Sequence, residues 1–81
     1  MALVTLDTDI MILVDRNATV AHVQLEMAGF PVAEATGSAK RDKGDVHNEN
    51  IAIDLAVGRA LKNLGRQMVS RGNEAVKQAT K

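Results

Sequence analysis

The sequence predicts an α+β fold. It is an antiparallel sheet of three strands, or four if the amino-terminal arm joins, covered by one long carboxy-terminal helix. Three observations predict it: strict alternation over residues 19–27, an unbroken apolar run at residues 10–14, and a sustained helical period over residues 50–68. No other stretch carries that period, so this helix is the one cover available to the strands. The 81 residues make one small domain. Its parts are an arm or edge strand (1–8), a sheet (9–39), a charged loop (40–49), a helix (50–71) and a polar tail (72–81).

Taken in order, Leu3, Val4, Thr5 and Leu6 form the arm or edge strand, and Asp7 and Asp9 mark a break. Ile10, Met11, Ile12, Leu13 and Val14 are short enough for a strand and apolar on both faces, so both faces are expected to be covered, one of them by the helix. Asp15, Arg16 and Asn17 have turn chemistry. In the next strand Ala21, Val23, Leu25 and Met27 point one way, while Val20, His22, Gln24 and Glu26 point to water. Ala28 and Gly29 supply a hairpin turn, since Gly29 tolerates positive φ. The return strand opens with Phe30 and Pro31, and Pro31 cannot donate a ladder hydrogen bond, which favours a sheet edge or an unpaired position. Ala33, Ala35, Gly37 and Ala39 leave one face of it almost bare, so that a helix can sit close. Val32, Glu34, Thr36 and Ser38 carry the other face.

Residues 40–49 carry charge of both signs and no apolar period. Asn48 or Asn50 is placed to cap the helix, with Glu49 and Asp54 near its positive end and Arg59, Lys62, Arg66 and Arg71 towards its negative end. The expected core stripe is Ile53, Val57, Ala60, Leu61, Leu64 and Met68. Gly72 and Asn73 are the expected stop.

Thr36-Gly37-Ser38-Ala39-Lys40-Arg41, followed by Asp54-Leu55-Ala56-Val57-Gly58-Arg59-Ala60-Leu61-Lys62-Asn63-Leu64, resembles a small family of actinobacterial and phage proteins of unknown function described as double-stranded-RNA-binding-domain-like. The likeness spans about residues 9–68. It implies a three-stranded sheet crossed by one long helix. It also brings in a dormancy-associated relative said to resemble ribosome hibernation factors. The chain departs from the family pattern at Lys43-Gly44, where the family has a proline, and at Gly58, where it prefers alanine.

Composition narrows the function. Ten basic and ten acidic residues cancel, which argues against binding nucleic acid by bulk charge. There is no cysteine, hence neither a disulfide framework nor a thiolate metal site. Phe30 is the sole aromatic ring, so no platform for base stacking is evident. Asp42, Asp45, His47 and Glu49 fit neither a calcium loop nor a zinc motif. His22 and His47 have no adjacent nucleophile, and no glycine-rich phosphate cradle occurs. The expectation is a non-enzymatic protein with no catalytic, metal or cofactor residue. No apolar run approaches a membrane span and no basic leader is seen, so the cytoplasm is the default compartment.

Two sets of residues remain as candidate contact sites. Lys40, Arg41 and Lys43, with Arg59, Lys62 and Arg66 on the helix, offer phosphate contacts to RNA or the ribosome; a solvated loop and dipole-complementing surface charges are the favoured explanation of them. Met11 and Leu13 on the strand, and separately Ile51, Leu55 and Val69 beside Gly58 and Gly65 on the helix, are two apolar surfaces, one of which is expected to form a protein interface, with strand-edge or arm exchange from residues 3–6 as an addition. Gly58, Gly65 and Gly72 recur every seven residues, and each mid-helix glycine costs about 1 kcal/mol relative to alanine. Close approach of another backbone would justify them, as would filling of the groove by the chain's own arm. A homodimer that also binds an unidentified protein partner is the expected assembly, because so small a core rarely supplies more than ~3–5 kcal/mol of net stability.

Overall fold

The computed structural model describes residues 1–40 and 49–80. Strands β1 (Asp7–Val14), β2 (Ala18–Met27) and β3 (Phe30–Lys40) form one antiparallel sheet in the order β1-β2-β3, followed by helix α1 (Glu49–Ala79). The α+β fold expected from the sequence is therefore present, and the sheet has three strands, with residues 1–6 outside it.

The β2–β3 hairpin follows directly from its residues. Ala28 and Gly29 both have positive φ (53° and 83°), the pattern of a type I′ turn whose twist matches the flanking strands. Alternation then sets the faces. Thr19, Ala21 and Val23 of β2 and Ala33, Ala35 and Ala39 of β3 are buried on the helix side. Pro31 pairs opposite Glu26 beside a register shift at Leu25/Glu26, at the start of an edge strand where a missing donor is tolerated. Gly37 lies directly beneath α1: a Cβ there would meet the backbone of Ala56, Arg59 and Ala60. The helix thus rests backbone-close on β3, and the residues it buries are small.

Several expected features differ. β1 begins at Asp7, so Asp7 and Asp9 do not break the chain but pair with Glu26 and Gln24. The helix does not cover residues 10–14: α1 crosses β2 and β3, and β1 is exposed along its whole length. The helical core face is Ala56, Ala60 and Leu64, with Ala52, Val57 and Met68 packed at its margin, whereas Leu61 is 45% exposed. Close seating selects small side chains and turns the larger Leu61 outward. The helix also runs past residue 71 to Ala79. Gly72 takes no positive φ, and Glu74, Ala75, Lys77 and Gln78 are good helix formers that carry the helix on. Residues 72–79 of the expected polar tail are the last two turns of α1. Asn48, one of the two cap candidates, lies outside the described residues.

On the face away from α1, His22 Nε2 lies 3.2 Å from Glu34 Oε2, while His22 Nδ1 is shielded and has no partner. Glu26 lies beside Asp7 and Asp9 at the other end of this face. Repulsion from Asp9 is the largest cause holding the Glu26 carboxyl above its ordinary pKa, followed by partial desolvation, a hydrogen bond with Asp9 and repulsion from Asp7. The folded state therefore penalises ionised Glu26. That penalty is absent below the ordinary carboxylate range and grows as pH rises through the raised value. Glu26→Gln is expected to raise the melting temperature at pH 7 and to lose that advantage near pH 3, read by thermal unfolding at the two pH values.

Candidate interaction surfaces

The two edges of the sheet are treated differently. In antiparallel pairing, alternate residues direct their backbone groups to the neighbour and the others outward. Three outward carbonyls of β3 are occupied by α1: Arg59 Nη1 donates to Ser38 O (2.7 Å), Asn63 Nδ2 to Thr36 O (2.8 Å) and Arg71 Nη1 to Val32 O (2.9 Å). These side chains lie on the helix flank that overhangs β3 and act as an edge cover. They were missed in the sequence because Arg59 and Arg71 read as charges suited to the helix end. Polar residues along one flank of a helix crossing an alanine-rich edge strand are the signal that could have found them.

Among the described residues the β1 edge has no such cover. Asp15 N–H donates to Ala18 O (2.9 Å), which fixes the phase of the ladder: Leu13, Met11 and Asp9 bond to β2, and Val14, Ile12 and Ile10 direct theirs outward. Ile10, Ile12 and Val14 share the helix-side face, Met11 and Leu13 the opposite one, and all five are exposed.

The candidate protein-contact residues fall into two separate places. Met11 and Leu13 are 63% and 69% exposed on β1. Ile51, Leu55 and Val69 are exposed on the outward side of α1 with Gly58 and Gly65. A Cβ added at Gly58, Gly65 or Gly72 would meet nothing within 4 Å, so neither the arm nor the sheet fills that groove.

The phosphate candidates are also divided. Lys40 ends β3, Lys62 and Arg66 are exposed on α1, and Arg59 is engaged with Ser38. Arg59, Lys62 and Arg66 line an open cleft with Thr36, Ser38 and Asn63 along the β3 edge. Arg41 and Lys43 lie outside the described residues, as do Asp42, Asp45 and His47. Among the described residues no three His, Cys, Asp or Glu side chains converge in a way that could hold a metal ion. No helix among them is long and apolar enough to cross a membrane.

A three-stranded antiparallel meander with one helix laid across it, three of whose polar side chains cap a sheet edge, defines a small α+β protein. The family model described as Rv2632c-like matches residues 4–81, and the chain belongs to that small family of unknown function. No curated protein and no solved structure matches the chain.

Proposed function

We propose that this chain is a small, non-enzymatic, cytoplasmic binding protein that works as a homodimer through protein–protein contacts. One observation carries the reading: the packing is inverted in size. Among the described residues six of the eight buried hydrophobic ones are alanine, the others being Val23 and Leu64, whereas Ile10, Met11, Leu13, Phe30 and Leu55 stand exposed. A monomer gains little from such a core, at roughly 25 cal/mol per Å² of apolar area buried, and leaves its larger side chains in water. Closed symmetric pairing is the commonest way to hide them, because one patch serves both partners.

Sedimentation of the purified protein from about 1 to 100 µM tests this, across the range in which moderate protein affinities are resolved. Dimers that dissociate on dilution, with a melting temperature that rises with concentration, are the expected result. Monomers across the whole range would overturn it.

A second reading, an RNA- or ribosome-associated regulator, is favoured by the cleft of Arg59, Lys62 and Arg66. Kinship with double-stranded-RNA-binding domains, an actinobacterial or phage source and a link to hibernation factors belong to this reading. The sheet and crossing helix support it; the cancelled net charge and the engagement of Arg59 and Arg71 with β3 weigh against it. Such binding would contact phosphates and fall steeply as salt rises.

A further inference from the structure

We infer that the partner of β1 is β1 of a second copy, paired antiparallel about a two-fold axis at Ile12 to give one continuous six-stranded sheet. The inference rests on the homodimer reading above and says which surface makes the dimer. A sheet can grow only where backbone groups point outward and are unoccupied. The β3 edge is occupied at Ser38, Thr36 and Val32 by side chains of α1, whereas Ile10, Ile12 and Val14 present their N–H and C=O groups at the opposite edge.

The sequence of β1 selects the register. With the axis at Ile12, Ile10 faces Val14 of the second copy, Met11 faces Leu13, and Ile12 faces itself, so all five apolar positions meet apolar partners. With the axis at Met11, Asp9 falls opposite Leu13; with the axis at Leu13, Asp15 falls opposite Met11. Each of those registers sets a carboxylate against an aliphatic side chain. In the Ile12 register the Asp15 carboxylate, which comes opposite Asp9, is turned back onto the Arg16 amide at 2.6 Å. Arg16, the one Lys or Arg before Lys40, comes beside Asp7 and Asp9 of the second copy at each end of the pair.

Area decides the role of the arm. The exposed side chains of residues 10–14 amount to roughly 450 Å² per protomer, so both copies together supply only a little over half of the ~1,600 Å² of a standard interface. Leu3, Val4 and Leu6 are exposed in the segment that leads directly into β1. Adding them brings the total to roughly 800 Å² per protomer, the share each partner contributes to a standard interface. There is also a place for them. Arg59, Asn63 and Arg71 lie on the β3 side of α1, so Val57 and Leu61 lie on the β1 side, above the exposed helix-side face of Ile10, Ile12 and Val14. The paired sheet forms a trough there, floored by these residues from both copies, in which each arm packs against the other protomer.

The absence of cysteine makes the register directly readable by cross-linking. Facing residues of an antiparallel pair lie within disulfide range, about 4.4–6.8 Å between Cα atoms. Under mild oxidation, Ile12→Cys is expected to give a covalent dimer, and an equimolar mixture of Met11→Cys and Leu13→Cys to give more covalent dimer than either variant gives alone. Gly65→Cys, on the outward side of α1, is expected to remain uncross-linked. Removal of residues 1–6 is expected to weaken the wild-type dimer at least tenfold by sedimentation. A wild-type dimer that cross-links at Gly65 and not at Ile12 would overturn this interface while leaving the homodimer reading intact. A wild-type monomer would overturn both. Circular dichroism of each cysteine variant separates loss of pairing from loss of fold.

Discussion

Gly37→Val should prevent folding, and Gly37→Ala should cost about 3 kcal/mol or more, the upper part of the usual range for overpacking. A Cβ at this position would run into Ala60 N, Ala56 O and the carbonyl carbon of Arg59, all of them helix backbone, so no flexible side chain is there to yield. The helix would have to lift from β3. That would separate Ala56 and Ala60 from Ala35 and Ala39 and pull Arg59 and Asn63 away from their carbonyls. A domain of this size holds only ~3–5 kcal/mol in reserve. Urea denaturation followed by circular dichroism measures the loss; an unchanged midpoint for Gly37→Ala would mean that α1 does not sit on β3 in this way.

Leu64→Ala should be the most damaging truncation on the helix, costing ~2–5 kcal/mol. Leu64 is 5% exposed and is the one side chain larger than alanine among the fully seated residues of α1. Its neighbours are small and their spacing is fixed by the helix backbone resting on Gly37, so they have little freedom to collapse into the space left behind. Leu61→Ala provides the comparison. Leu61 is half exposed, and its truncation should fall near the ±0.5 kcal/mol of ordinary surface changes in the monomer. Equal losses for the two leucines would mean that the helix is rotated about its axis from its position here.

The hairpin was legible because each of its signals is local. Alternation set the faces of β2 and β3, Ala28-Gly29 set the turn, and the bare face of Ala33, Ala35 and Gly37 announced a close helix. The orientation of the helix was only half legible. Hydrophobic periodicity weights large side chains and so drew Leu61 into the stripe, but the close approach enforced by Gly37 admits Ala56 and Ala60 and excludes bulk. β1 was misread for a related reason. Five consecutive apolar residues imply cover on both faces, but they do not say whether the cover belongs to the same chain. The helix end was misread because Gly72 is a stop only if it adopts positive φ, and the helix formers after it keep it helical. Of the candidate contact residues, the sequence placed Met11 and Leu13 on a strand and the glycines on one helix line. It treated these as two separate surfaces, and it could not show that Arg59 and Arg71 reach backbone carbonyls.

The three side chains that close the β3 edge also determine how far association can go. A sheet with two receptive edges polymerises, since each added copy presents a fresh end. In the pairing inferred above only the β1 edge accepts a neighbour, so pairing through it would consume both growing ends at once and the assembly would terminate at two. Arg59, Asn63 and Arg71 therefore serve as chain terminators. In that pairing they are what separates a closed pair from a fibre, since the opposite edge strand is apolar and exposed.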